Sequence, residues 1–380
     1  MRTRRLRGSF AALSVLAAAA WLAAGCGTTF KLPNEVPTGR EIPTDNSYQM
    51  IATWTGMNGV RDILLLSQGT GSQLFVLFNA GGTGTTPRGS MAAYPLSRPT
   101  PIAGIDFPTL FNPAAVAAGA NRLFVLDQGD TALARDPVNG RITDLTLYWR
   151  VREFGLLGGD TLGTFTDTSM AFVRGVAADA SGRVYVSGTA IINVPDQTDP
   201  RILTRTFQFR VYRYKRGPRY PGVVPPDRNL PGADWHRDTT YVVEEGSGIG
   251  TVQNPFGLFW SPAGGPALYA VDAGKDWVQK LSDQLPSTGF YFLDGGQSGA
   301  PFSSPEDVTV DGQGFLYIAD TGNRRVLRYA PDGSYVQKVN VELDADRDSL
   351  HIPVAVAADD SLAYVGDAQT HKIIRYKRRD

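Results

Sequence analysis

Charged side chains at the start of apolar strands are the residues of this chain best placed to do chemistry. Arg61 and Asp62 stand in "VRDILLL", Arg174 in "FVRGVAA", and Glu306 and Asp307 in "PEDVTV". Brought together away from water, such groups hold protons with altered affinity and can bind charged ligands. Four aspartates, Asp127, Asp272, Asp320 and Asp367, each close a strand such as "LFVLD" or "LYIAD". A recurring carboxylate suggests a metal ring. The simpler expectation is that each accepts amide hydrogen bonds from the turn that follows. There are three histidines, His236, His351 and His371, and only His351 precedes an apolar strand. That is too few for a histidine-rich metal site.

Other motifs give less. "GSGIG" at Gly246 and "GQSGA" at Gly296 lack the register of a nucleophile elbow, and "GTGTT" lacks the lysine of a phosphate-binding loop. Asp160, Asp167, Asp196 and Asp199 lie in stretches read as loops, which makes calcium a candidate cofactor. Their spacing matches no calcium motif, and no other cofactor is expected. The segment Arg216–Asp238 carries five prolines and reads as a stiff loop. Trp235, His236 and Asp238 at its end form a candidate recognition patch, unless the tryptophan tucks against the fold.

The elements that position these residues recur. "NPAAVAAGANRLFVLDQGD", "FVRGVAADASGRVYVSG", "NPFGLFWSPAGGPALYAVDAG" and "IPVAVAADDSLAYVGDAQT" share one order: small-residue strand, tight turn, aromatic-containing strand. "PEDVTVDGQGFLYIADTGNRRVLRYAPDG" is the clearest copy, and "VRDILLLSQGTGSQLFVLFNAG" a degenerate one. Such self-similarity is the mark of a repeat architecture. A four-stranded sheet with two apolar faces cannot bury both alone, but stacked sheets closed into a ring bury all of them. The expected fold is therefore all-β, a six-bladed β-propeller of four-stranded antiparallel blades.

The copy from Pro305 resembles an NHL repeat closely, the units at Phe172, Asn254 and Ile352 fairly, and those at Val60 and Asn112 weakly. The resemblance covers most of residues 48–380. It implies a propeller from a family of diverse functions, with ligand, protein and RNA binders and a few lyases. The last unit ends with three strands. "YQMIATWT", Tyr48 to Thr55, has no partner in its own unit and is expected to add to the strand at Lys372–Lys377 and close the ring. Tyr48, Met50, Ala52 and Trp54 should share one face. Aligned inner-strand positions are Asp62, Ala115, Gly175, Gly257, Asp307 and Ala355, so Asp62, Arg174, Glu306 and Asp307 are the candidate binding residues at the channel mouth. Long segments at Asn79–Ser90, Gly155–Ser169 and Thr189–Arg205 should build up one side of the face where inner strands begin.

The first 25 residues have the basic, apolar, small-residue order of a secretory signal, with about 15 apolar residues, short for a membrane span. Cys26 is the only cysteine. "LAAGC" resembles the lipobox of bacterial lipoproteins, in which the cysteine carries palmitate-type acyl chains, although Ala23 stands where leucine is usual. The resemblance implies lipid attachment at Cys26 and, with Gly27 next, the outer membrane, facing periplasm or exterior. Residues 26–47 are polar and rich in Pro and Thr, a flexible tether spanning ~25 Å. The chain has 37 basic and 37 acidic side chains, and losing the leader's four arginines leaves it acidic. That balance argues against a nucleic-acid partner. The expectation is a membrane-anchored, non-catalytic binding or scaffold module for a protein, peptide or glycan. The alternative is a metal-dependent lyase or hydrolase using Asp62, Glu306 and Asp307 at the channel mouth.

Overall fold

Six antiparallel sheets follow one another along the chain. The computed structural model describes residues 48–379 apart from 69–70, 80–88, 136–141, 196–200, 202, 217–234, 285–287 and 341–349. The expected signal segment and the whole of the tether, 26–47, lie outside the described residues. The inner strands are Val60–Gln68, Pro113–Gly119, Met170–Ala178, Pro255–Ser261, Pro305–Val310 and Pro353–Ala358, in blades one to six. Among the described residues no helix is long and apolar enough to cross a membrane.

Burial explains why the sheets form a ring. Ala267–Asp272, Leu316–Asp320 and Pro353–Ala358 are buried along their whole length, so their sheets bury both faces. The buried side chains fall into six clusters, and each is drawn from two adjacent blades. One of them joins the last blade to the first: Val354, Ala355, Ala357, Tyr364 and Ile373 pack with Val60, Ile63, Leu74, Val76 and Tyr94. That cluster closes the circle.

The closing strand is where the sequence places it. Tyr48–Thr55 pairs antiparallel with Lys372–Arg378, from Tyr48 opposite Arg378 to Thr55 opposite Lys372. It is the outer strand of blade six. The expectation that its four inward residues share a face is corrected by a bulge between Met50 and Ala52. One extra residue reverses every side chain beyond it. Tyr48 therefore faces blade five, where its hydroxyl lies 2.8 Å from that of Tyr317. Trp54 faces blade one, with ring centroids 5.8 Å from Tyr94 and 5.9 Å from Tyr364. The strand thus pairs with one blade and packs on both neighbours.

Three further expectations change. Blade one has three strands among the described residues, where four were expected. Gly155–Ser169 is not a long connection, because Gly158–Phe165 is the outer strand of blade two. The extension in that blade is instead the paired hairpin Arg122–Arg135 and Ile142–Gly155. Blade three has a similar extension in Val184–Pro195 and Leu203–Arg216. Blades two and three are therefore built up, but by paired strands rather than loops.

Candidate functional site

Each inner strand carries an irregularity near its start. The pairing shifts between Val60 and Asp62, Pro113 and Ala115, Pro255 and Leu258, Pro305 and Asp307, and Pro353 and Ala355. In blade three it shifts across Arg174, since Val173 faces Gly188 while Gly175 faces Ser187. The extra residue of a bulge is left unpaired and re-aimed. Those residues are Arg61, Ala114, Arg174, Phe256, Glu306 and Val354, and all six line one small cavity of about 30 Å³. Asp62 and Asp307 line it too. The cavity is the channel mouth. Charged residues come from blades one, three and five, and apolar ones from the blades between.

Small residues beside the bulges are a packing requirement. A Cβ on Gly175 would lie 2.1 Å from the Phe256 carbonyl oxygen, and one on Gly257 would lie 2.7 Å from that of Glu306. Neighbouring inner strands approach that closely at the axis.

The mouth is crowded with charge. Arg61 Nη1 lies 3.5 Å from Glu306 Oε2. Arg174 stacks on Phe256 with its guanidinium carbon 4.2 Å from the ring centroid. Burial draws the Arg174 affinity for its proton down, Arg61 adds to that, and Glu306 opposes it. Burial pushes the Glu306 carboxyl up against the pull of Arg61 and Arg174.

Asp62 and Asp307 do the same job at two places. Asp62 Oδ2 accepts from the Val116 amide of the next blade at 2.7 Å, and Oδ1 from the Ile63 amide at 2.7 Å. Asp307 Oδ2 accepts from the Val356 amide of the next blade at 2.7 Å, and Oδ1 from the Val308 amide at 2.8 Å. Each carboxylate satisfies an amide on an inner strand and so couples two blades. Burial pushes Asp62 up to about 7, against the amide bonds and Arg61. Burial and then the charge of Asp62 push Asp307 well above the usual carboxylate range. Both keep some accessible surface at the mouth, but protein surrounds them closely enough to govern their protonation.

A belt of inter-blade bonds was not legible in the sequence. The second strand of one blade, or the turn after it, reaches the chain at or just before the next inner strand. Asn79 Nδ2 donates to the Pro113 carbonyl at 3.3 Å, Ser187 Oγ to that of Phe256 at 2.9 Å, and Thr321 Oγ1 to that of Pro353 at 2.6 Å. Gln128 Nε2 donates to the Val173 carbonyl. Asp276 accepts from the Ser304 amide at 2.7 Å, and the Met57 amide donates to the His371 carbonyl at 3.0 Å. The residue types differ, so no motif marks the belt.

The recurring aspartates are structural. All four are fully buried, and each stands opposite the proline that opens its inner strand. Asp127 accepts from the amides of Phe111 and Asn112, Asp272 from Gln253 and Asn254, Asp320 from Ser303, and Asp367 from His351 and Ile352. The expected bonds to the following turn exist at Asp272 and Asp367. The bonds back to the inner-strand entry were not anticipated. No group of His, Cys, Asp or Glu that could hold a metal ion occurs among the described residues. Asp196 and Asp199 lie outside them, and Asp167 is buried and accepts from Tyr214 at 2.9 Å.

The candidate recognition patch is corrected. Trp235, His236 and Asp238 belong to Trp235–Val243, the outer strand of blade three. Trp235 is buried and stacks on Phe165 at 4.7 Å. Asp238 is buried and binds Arg213 at 2.7 and 3.0 Å. Residues 217–234 of the proline-rich segment lie outside the described residues. Trp235 does border a cavity of about 410 Å³ with Phe124, Arg122, Glu153, Lys215 and Arg216. Its cations are tied to carboxylates: Arg122 and Arg216 to Glu153, Lys215 to Asp238.

Six sheets in a closed circle define a six-bladed β-propeller. Residues 302–329 match the NHL repeat family, so the chain is a propeller that carries an NHL repeat. Among solved structures, the PQQ-bound aldose sugar dehydrogenase of Streptomyces coelicolor is similar at 14% identity and a TM-score of 0.47, covering 89% of this chain and 100% of that one. A protein of unknown function from Bacteroides caccae is similar at 8% identity and a TM-score of 0.40, covering 81% of this chain and 83% of that one. No curated protein matches.

Proposed function

We propose that this protein is an exported, lipid-anchored binding module whose ligand site is the channel mouth. The single observation that supports this reading is the convergence of one re-aimed residue from every inner strand on one cavity. Rigid strands hold those residues, and a site built on strands is held more precisely than one on loops. The ligand is a protein, a peptide or a glycan end. Attachment at Cys26 puts the propeller at the outer membrane, on its periplasmic or exterior side.

The test uses the full chain in its own membranes. Acyl labelling and membrane fractionation should both be lost in Cys26→Ser. Crosslinking from the mouth should capture a partner whose yield Glu306→Gln changes. Soluble protein with normal fractionation of the serine variant, or capture indifferent to the mouth, overturns the reading.

A second reading has one observation in its favour. The Asp62 carboxyl, pushed up to about 7 by burial, stands in the range useful for proton transfer. On that reading the mouth is the site of a lyase or hydrolase. A divalent ion bound in the channel, with activity lost on chelation, distinguishes it.

A further inference from the structure

We propose that the mouth takes the terminal carboxylate of a peptide, with Arg174 as its receptor. The inference rests on the binding reading above and supplies its ligand class.

Arg174 differs from the other arginine of the site. Arg61 is engaged by Glu306. Arg174 has no hydrogen bond or ion pair among the described residues, and its aromatic partner, Phe256, fixes the plane of the guanidinium. It is half-buried and lines the cavity. A planar fork of five donors held against a ring face is suited to bidentate pairing with a carboxylate. A guanidinium removed from water without an acceptor costs free energy that a ligand oxygen would offset.

Size and charge narrow the class. About 30 Å³ is roughly the share of one water in the liquid. The cavity accepts one end of a ligand, not a whole one. Glu306, Asp62 and Asp307 already line it, so a dianion such as phosphate meets about twice the repulsion that a monoanion does.

The rest of the ligand has an apolar surface beside it. Phe172, two residues before Arg174, is 49% exposed. It pairs with Thr189, and Thr189 and Ile191 pair with Phe209 and Phe207. Residues opposite one another share a face of the sheet. Phe207 is 60% exposed, so the extended hairpin of blade three carries an apolar wall on the side where Phe209 packs toward blade four. Apolar side chains preceding a peptide carboxyl terminus fit that wall, whereas a sugar acid has no apolar side chain to offer it.

The experiment is titration of the full mature chain with acetyl-Leu-Phe as the free acid and as its amide, with glucuronate and inorganic phosphate in parallel. The free acid should bind, and the amide at least about tenfold more weakly, as expected for one charge-assisted pair. Arg174→Gln should lose a similar factor with its unfolding midpoint unchanged. Arg174→Lys keeps the charge without the fork and should bind at an intermediate level, which serves if the glutamine variant does not fold. Equal binding of acid and amide, both lost in Arg61→Gln, keeps the mouth as a binding site and overturns the carboxylate. Binding of glucuronate or phosphate as tight as that of the peptide acid overturns the peptide assignment. No binding of any probe overturns the inference, while crosslinked capture sensitive to Glu306→Gln would still uphold the binding reading.

Discussion

Blades three and five close the same four-stranded sheet by different means. In blade five, Pro305 opens the inner strand opposite Asp320, and that buried aspartate ties together the Ser303 amide, Asn323 and Arg325. The next turn is a single short 3-10 segment, Thr321–Asn323. Blade three has Gly188 and Ser187 at the corresponding place, a long hairpin, and a buried ion pair between its third and outer strands, Arg213 with Asp238. Yet both keep the bulge, and both bond to the next inner strand. The ring dictates the inner edge and leaves the rest free. The bulge can therefore hold opposite charges, Arg174 in one blade and Glu306 in the other.

The largest expected effects test where each blade keeps its polar anchor. Asp320→Ala and Asp238→Ala each strand a mostly buried arginine. Each should cost about 3–5 kcal/mol in denaturant unfolding. If Asp238→Ala is near neutral, blade three does not depend on its outer strand, and the contrast fails. Next come the glycines beside the bulges. Gly175→Ala should cost about 1–3 kcal/mol, and Gly257→Ala less, because its added methyl has more room. The reverse order would mean that the blade three bulge is the looser of the two.

A pH effect of intermediate size belongs to the mouth. Asp62 and Asp307 have folded values above the unfolded one, so they stabilise the fold fully below about pH 4 and lose that contribution as the pH rises through each folded value, about 7 for Asp62. Asp238 acts in the opposite sense. Burial raises it, but bonds from Thr240 and Arg213 outweigh burial and lower it, so its contribution is lost only in strong acid. Between about pH 5 and 8 the unfolding midpoint should therefore fall. Asp62→Asn should flatten the slope, since it removes one titration and the repulsion on the other carboxyl. An unchanged slope would place the titration elsewhere.

Much of this was legible in the sequence, for stated reasons. Period-two strands and recurring turns gave the blades, and an unpartnered "YQMIATWT" gave the closing strand. Asp62, Arg174, Glu306 and Asp307 stood out because charge interrupts small residues at repeat positions that converge on one axis, whereas Ala114, Phe256 and Val354 carry no such mark. Ile51 was not, because a bulge leaves no mark in an alternating pattern. Gly158–Phe165 is poor in apolar residues and reads as a loop until Val151–Glu153 supplies its partner. Trp235 and Asp238 follow a proline-rich run, and only pairing with Leu203–Arg216 makes them a strand. The belt escaped notice because Asn79, Gln128, Ser187 and Thr321 share a role and not a residue type.

The most direct measurement is a charge swap across the channel. Arg61 and Glu306 belong to blades one and five and can meet only if the ring is closed and both bulges point inward. Arg61→Glu and Glu306→Arg should each lower the unfolding midpoint, and the double variant should recover most of the loss, a coupling of about 1 kcal/mol for a partly exposed pair. Strictly additive losses would mean that the two side chains do not face each other, and the mouth as described would not exist.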